Sequence, residues 1–262
     1  MTGRRPRGEV GTGTGPGVRL GVRLPVDAPG IRYPAVERLA RAAERGLLDF
    51  VLVDGDGVGG GVEGDAGGGA GGGAGGGEGT GADPVTVLSA LAAVTERIGL
   101  VAGVRGGREL ARRVAELDRL SGGRAGWAGW AGWAGPVQGD AEGSGGAGGA
   151  GGVGVGGVGG WPVVVRRGEP GWESADLRLL GPVAVDGPPE EVAGRILGVL
   201  EPGGGADGLL LAPRGVPDGL DAFDEFVDRV VPLLQRRGTF RTEYGGATLR
   251  SHLGLIAPVG KG

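Results

Sequence analysis

The sequence predicts an α/β fold in which parallel strands are joined by helical crossovers. Residues 83–127 read as a helix, a short apolar strand, a second helix and the start of another strand. This alternation is typical of βα units, because a helix carries the chain back before each parallel strand. The 262 residues also match the size of a (β/α)8 barrel, which typically needs about 250 residues.

The N-terminal part contains two predicted strands and one helix. Residues 1–17 predict a flexible tail, and Val18–Leu24 predicts a first strand with alternating character. A helix begins at Pro34. The next strand, Asp49–Val53, is almost wholly apolar, as a strand buried on both faces is, and Asp54 follows it.

The central part has clear start and stop signals. Asp83 is a good N-cap, and Pro84 is a good first helical residue because proline has no N–H to leave unpaired. Ile98–Val104 predicts a buried strand. Gly122 and Gly123 are expected to end the following helix in a left-handed C-cap.

Two glycine-rich stretches interrupt what we predict to be a single barrel-like domain over residues 18–262. Glycine accounts for 67 residues, far above its average usage of about 7%. Residues 55–82 and 134–160 cannot bury enough apolar surface to offset their ordering entropy. They are therefore expected to be disordered insertions.

The C-terminal part continues the alternation. Further strands and helices are predicted at 162–165, 175–180, 189–199, 207–212 and 220–234, and Pro232 should kink or shorten the last helix. Residues from Phe240 onward predict a polar tail without strong periodicity. About six or seven strands and five helices are predicted in all, so the barrel would be incomplete, because a closed one needs eight of each.

Composition excludes several classes of site. The net charge of −4 gives no electrostatic reason for binding nucleic acid or an anionic membrane. Without cysteine, and with one histidine, a thiolate or multi-histidine metal site cannot form within one chain. No apolar run approaches about 18 residues, and the N-terminus has no signal-like apolar region. We expect a cytoplasmic protein.

Several segments resemble the luciferase-like flavin-dependent monooxygenases. They are LARAAERGLLDFVLVDG, DPVTVLSALAAVTERIGLVA and ARRVAELDRLSGGRAGW, followed near the C-terminus by GPPEEVAGRILGVLEPGGGADGLLLAP and GLDAFDEFVDRVVPLLQRRGTF. The chain is most similar to the subgroup that contains nitrilotriacetate monooxygenase, dibenzothiophene-sulfone monooxygenase and pristinamycin synthase. The segments follow in the same order in that family.

The resemblance implies a TIM-type barrel whose middle part is shortened. It implies reduced FMN as cosubstrate, dioxygen as oxidant and a separate flavin reductase as partner. It also implies a small organic substrate and a homodimer. Because the flavin carries out the oxygen chemistry, no catalytic triad or metal cluster is needed in the sequence.

Two residues match flavin-side positions of the family, and three depart from it. Asp54 and Gly168 match. Gly103, Ala128 and Pro170 stand where the family has polar residues. These departures favour an alternative, a catalytically inactive homologue that serves as a binding or assembly subunit.

Two further signals concern phosphate binding. Arg166 and Arg167 follow a predicted strand, where phosphate often binds in TIM barrels, although a solvated pair of charges is the simpler interpretation. Residues 55–60, GDGVGG, fit the dinucleotide-binding pattern. They lack the helix that such a site requires, because more glycine follows.

The remaining signals are aromatic. Trp127, Trp130 and Trp133 could stack on a flavin or substrate, but they belong to a simple Ala-Gly-Trp repeat. His252 is the one group expected to titrate near neutrality. Its place in the predicted polar tail favours a surface position.

Overall fold

The fold is a barrel of parallel strands surrounded by helices. The computed structural model describes residues 17–28, 30–55, 82–103, 108–129, 163–167, 177–199, 207–213 and 218–255. The strands are β1 (Leu20–Leu24), β2 (Phe50–Asp54), β3 (Gly99–Gly103), β4 (Ala125–Gly129), β5 (Val163–Arg167), β6 (Leu177–Ala184) and β7 (Gly208–Ala212).

Helices follow most of the strands. They are α1 (Tyr33–Arg45), α2 (Pro84–Ala92), α3 (Arg108–Leu120), α4 (Pro189–Val199), α5 (Asp218–Glu225), α6 (Val231–Arg236) and α7 (Leu249–His252). A π-helical turn, Phe226–Val230, joins α5 to α6.

The strands pair in chain order, each parallel to the next, and β7 pairs with β1. The parallel α/β barrel predicted from the sequence is therefore confirmed. Within the described residues the barrel has seven strands rather than eight, and these seven close on themselves.

Side chains alternate between two cores along β2. Phe50 and Leu52 face the barrel interior, where they pack with residues such as Val101. Val51 and Val53 belong to the larger cluster between the strands and the helices. Both faces of β2 are buried, which explains its uninterrupted apolar sequence.

The predicted helix ends are confirmed. The Asp83 carboxylate accepts a hydrogen bond from the Thr86 N–H at 2.7 Å and caps α2. Gly122 and Gly123 both have positive φ angles after α3, a backbone conformation that costs glycine little. The predicted disturbance at Pro232 takes the form of the π-helical turn that precedes α6.

The C-terminal segment, residues 239–255, closes the base of the barrel, where the strands begin. The predicted polar tail is wrong here. Leu249 and Leu253 are fully buried in the interior cluster, and the Leu249 N–H donates to the Gly123 carbonyl oxygen at 3.0 Å. Arg19 binds the carbonyl oxygen of Leu253 through Nε and Nη2. The segment lacks a helical pattern because only four residues of it, α7, are helical.

Candidate functional site

The carboxyl ends of β2, β3 and β4 place three residues in a row at one end of the barrel, which we call the mouth. Asp54 pairs with Gly103 across β2 and β3, and Gly103 pairs with Ala128 across β3 and β4. Sites in TIM barrels lie at this end of the strands. The position expected for Asp54 from its place after a strand is therefore the one observed.

Asp54 forms an ion pair with an arginine from the neighbouring strand. Arg23, on β1, donates from Nε to Oδ2 of Asp54 at 2.7 Å. It also donates from Nη2 to Oδ2 of Asp27 at 2.9 Å, in the loop after β1. The Asp54 side chain is 11% exposed, Arg23 is 31% exposed and Asp27 is 56% exposed, so the cluster runs from the mouth's wall outward to solvent.

Gly103 provides the space in which the Asp54 carboxylate lies. A Cβ atom added at Gly103 would collide with Oδ1 of Asp54. The two strands are also tied beyond their ends, because the Gly55 N–H donates to the Gly103 carbonyl oxygen at 2.9 Å. Because Gly103 has no side chain, the Asp54 carboxylate can lie over β3.

Other residues singled out in the sequence are placed only partly. Gly168 and Pro170 lie outside the described residues, as does all of the GDGVGG motif except Gly55. Arg166 and Arg167 lie on the last two positions of β5, and Arg166 pairs with Gly129 of β4. This register brings the two arginines to the same edge as Asp54.

Trp127 does not face the mouth. Its side chain is buried in the cluster between the barrel and the helices, on the opposite face of β4 from Ala128. Stacking on a ligand at the mouth is therefore excluded for Trp127. Trp130 and Trp133 lie outside the described residues.

His252 is buried at the base of the barrel, and the predicted surface position is wrong. Its side chain contacts the Tyr244 ring, with 4.5 Å between ring centroids, and Nε2 donates to the Gly246 carbonyl oxygen at 3.0 Å. Nδ1 finds no hydrogen-bond partner within the described part of the chain. Burial lowers the pKa of His252 to about 4, because a proton added at Nδ1 would place an unsolvated charge there.

A buried ion pair lies at the same end of the barrel, where the strands begin. Arg241, from the C-terminal segment, contacts Oδ1 of Asp49 through Nη2, which also donates to the His252 carbonyl oxygen. The Leu20 N–H donates to the other carboxylate oxygen of Asp49 at 2.7 Å. Burial raises the pKa of Asp49, and the contact with Arg241 opposes that rise.

Arg23, Asp49 and Arg241 were not recognised as a site from the sequence. Arg23 carried a usable signal, because it is a charged residue on the interior face of an otherwise apolar strand. Asp49 directly precedes a buried strand, which is also an unusual place for a charge. Arg241 carried no comparable signal, since nothing near it in the sequence indicates burial.

The described residues contain no group of three or more histidine, aspartate or glutamate side chains arranged to hold a metal ion. Among the helices that the structure describes, none is both long enough and apolar enough for a membrane span.

Comparison with known proteins gives one family. The sequence model of the luciferase-like monooxygenase family matches residues 10–140, which is half of the chain. Dibenzothiophene-sulfone monooxygenase of Rhodococcus erythropolis is 52% identical over 69 residues, which are 26% of this chain and 14% of that protein. The matched stretch thus spans about one seventh of that relative's length.

Solved structures share the fold over most of the chain. EDTA monooxygenase from Chelativorans sp. BNC1 superposes with a TM-score of 0.65 at 18% identity, over 93% of this chain and 100% of that one. Riboflavin lyase, solved with a modified FMN and riboflavin, gives a TM-score of 0.63 at 17% identity, over 90% and 95% of the two chains. At these identities the likeness concerns the fold alone.

Proposed function

The chain belongs to the luciferase-like monooxygenase family, and from this premise we propose that it is a monooxygenase that uses reduced FMN and dioxygen to oxygenate a small organic substrate. One observation carries the proposal. The paired charges of Arg23 and Asp54 lie at the mouth of the barrel, in line with two small residues, Gly103 and Ala128.

The polar groups at the mouth fit a flavin. The ring of FMN offers carbonyl oxygens and an N–H along one edge, and its ribityl chain offers hydroxyls. The Asp54 carboxylate offers acceptors for that N–H and for the hydroxyls. We assign Asp54 as the residue that would hold the cofactor, with Arg23 paired to it, together with Gly168 on the strength of the resemblance.

The cofactor, when bound, supplies the activation of dioxygen and the transfer of one oxygen atom to the substrate. The chain's own residues bind, orient and shield. The interior cluster beneath the mouth, with Leu52 and Val101, is apolar and buried. An apolar surface lowers the local dielectric constant and so strengthens the electrostatic contact between Arg23 and Asp54.

Riboflavin lyase, a barrel of this fold, was solved with a modified FMN and riboflavin, which supports flavin as the ligand class. A cosubstrate that must arrive already reduced requires a separate flavin reductase as partner. The substrate is proposed only as a small organic molecule, and a homodimer as the assembly.

A second candidate is a catalytically inactive homologue that serves as a binding or assembly subunit. The residues in line with Asp54 favour this candidate, because Gly103 and Ala128 have no side-chain group that could hydrogen-bond a flavin. Such a chain would retain the barrel and lose the flavin.

Flavin binding separates the two candidates. We would titrate the full chain with FMN, and with reduced FMN under anaerobic conditions, and follow flavin fluorescence. Micromolar binding that weakens in Asp54→Asn supports the monooxygenase, and oxygen consumption with an added flavin reductase would then be measured. A folded chain, judged by circular dichroism, that binds neither form supports the inactive subunit.

A further inference from the structure

We propose that Arg23 is a positioning residue for the flavin site: it fixes the plane and place of the Asp54 carboxylate, and through Asp54 it sets the affinity for reduced FMN. This inference rests on the proposed function. It adds a role for a residue on β1, whereas the resemblance pointed to Asp54 and Gly168.

The first step is where Arg23 lies. On β1 it shares the interior face with Gly21, where an added Cβ would collide with the Phe50 ring. The side chains of Leu20, Val22 and Leu24 pack on the other face, against the helices. Arg23 is thus a charged residue on the barrel's inner wall, and its guanidinium reaches the mouth.

The second step is how the guanidinium is held. Different nitrogens bind different carboxylates, Nε binding Asp54 and Nη2 binding Asp27. Since the guanidinium is planar and rigid, two fixed nitrogens fix its orientation. Asp27 therefore anchors Arg23 from the outside while Arg23 orients Asp54 on the inside.

The third step is the difference between the two contacts. Asp27 is 56% exposed and Asp54 is 11% exposed, so water screens the outer contact far more than the inner one. A charge-assisted hydrogen bond is stronger where water is largely excluded, so it holds a carboxylate in place there. Arg23 donates such a bond to Asp54 from Nε.

The fourth step is the position that results. Oδ2 of Asp54 accepts from Arg23, and Oδ1 lies over Gly103, where an added Cβ would displace it. A carboxylate has roughly four acceptor sites, so it can bind Arg23 and a ligand N–H or O–H together. Without Arg23 the carboxylate loses the hydrogen bond that Oδ2 accepts at 2.7 Å, and its orientation toward a ligand is less well fixed.

The test is a double-mutant cycle on flavin affinity. Dissociation constants for reduced FMN would be measured anaerobically for the native chain, Arg23→Met, Asp54→Asn and the double variant. Because a charge-assisted hydrogen bond is involved, we expect about a tenfold to hundredfold loss in Arg23→Met. The double variant should bind no more weakly than Asp54→Asn, since Arg23 acts through Asp54.

Two further variants distinguish positioning from simple charge or folding. Arg23→Lys keeps the charge but cannot hold both carboxylates, so it should recover only part of the affinity. Asp27→Ala removes only the exposed anchor and should weaken binding by at most about fivefold. If Arg23→Met does not fold, Asp27→Ala and Arg23→Lys still test the proposal. Affinity for reduced FMN that is unchanged within error in both variants would overturn it.

The outcomes are distinct. Equal losses from Arg23→Met in the native and Asp54→Asn backgrounds would mean that Arg23 contacts the flavin directly, and positioning would be wrong. Native affinity in Arg23→Met would also refute it while leaving the monooxygenase proposal standing. Absence of flavin binding by the native chain would overturn both.

Discussion

Strand β2 has an aspartate–arginine pair at each of its two ends, and the two pairs lie in different surroundings. At the base, Asp49 is completely buried and Arg241 nearly so. At the mouth, Asp54 and Arg23 remain partly open to solvent. The partners also differ in origin, since Arg241 belongs to the C-terminal segment and Arg23 to the adjacent strand.

The difference indicates a division of labour within one barrel. The base pair is enclosed by Leu20, Tyr244 and His252, and both oxygens of Asp49 and Nη2 of Arg241 bind other groups of the protein. The mouth pair keeps part of its surface exposed, 31% for Arg23 and 11% for Asp54. We therefore expect changes at the base to affect stability, and changes at the mouth to affect ligand binding.

The largest effect is expected from Arg241→Met. The substitution leaves the Asp49 carboxylate buried without its counter-charge, so the free energy of unfolding should fall by about 3–5 kcal/mol. Urea denaturation followed by circular dichroism would measure it. Adding Asp49→Asn should restore part of the loss, because the buried charge is then removed as well.

A matched control for that variant is Arg38→Met. Arg38 on α1 binds Asp221 and Asp224 at the surface, and exposed pairs of this kind contribute little to stability. If Arg241→Met lowered the free energy of unfolding no more than Arg38→Met, the buried pair of Asp49 and Arg241 would not stabilise the base of the barrel.

The next effect is expected at the apolar part of the same closure. Leu249→Ala removes a fully buried side chain that fills the bottom of the barrel, and the cavity should cost about 2–5 kcal/mol of unfolding free energy. Leu120→Ala is the control. Leu120 is 80% exposed, so its loss should stay within about 0.5 kcal/mol in the same urea experiment. Equal losses in the two variants would show that residues 239–255 do not seal the barrel.

His252 gives a pH-dependent comparison. Burial lowers its pKa to about 4, whereas an unfolded chain has a histidine pKa near 6.5. The unfolded state therefore binds a proton first as the pH falls, so stability is highest above pH 6.5 and decreases toward pH 4. The loss between about pH 7 and pH 5 should be about 2 kcal/mol.

Two measurements check this expectation. Because the chain has a single histidine, its ring protons can be followed unambiguously by NMR during a pH titration. Stability curves of the native chain and His252→Gln isolate its contribution from Arg241, Arg97 and Arg124, whose positive charges also lower its pKa. A histidine that titrates near 6.5 in the folded chain would mean that the base is open to water.

The same comparison shows what the sequence could predict. Asp83, Pro84, Gly122 and Gly123 act through contacts within a few residues, so the boundaries of α2 and α3 were readable. The apolar run of β2 was readable too, because burial on both faces leaves no polar position. The place of Asp54 at the mouth followed from its position after that run.

The base could not be predicted, for physical reasons. Asp49 and Arg241 are 192 residues apart in the chain, and their contact exists only because the barrel closes. Residues 239–255 bury Leu249 and Leu253 with little regular structure, so they show no period. Arg23 was missed for a related reason: its partner Asp54 is 31 residues away, on the next strand.

The smallest effect on stability is expected at the mouth. Arg23→Met removes an ion pair that water already screens in part, so the free energy of unfolding should fall by only about 1 kcal/mol. The same variant should lose much of the affinity for reduced FMN. Arg241→Met should lose much of the stability and, where it stays folded, keep its affinity. Urea denaturation would be run on both proteins beside the flavin titrations. If Arg23→Met proved as destabilising as Arg241→Met, both pairs on β2 would serve mainly to stabilise the fold. The proposed role of the mouth pair in ligand binding would then be wrong.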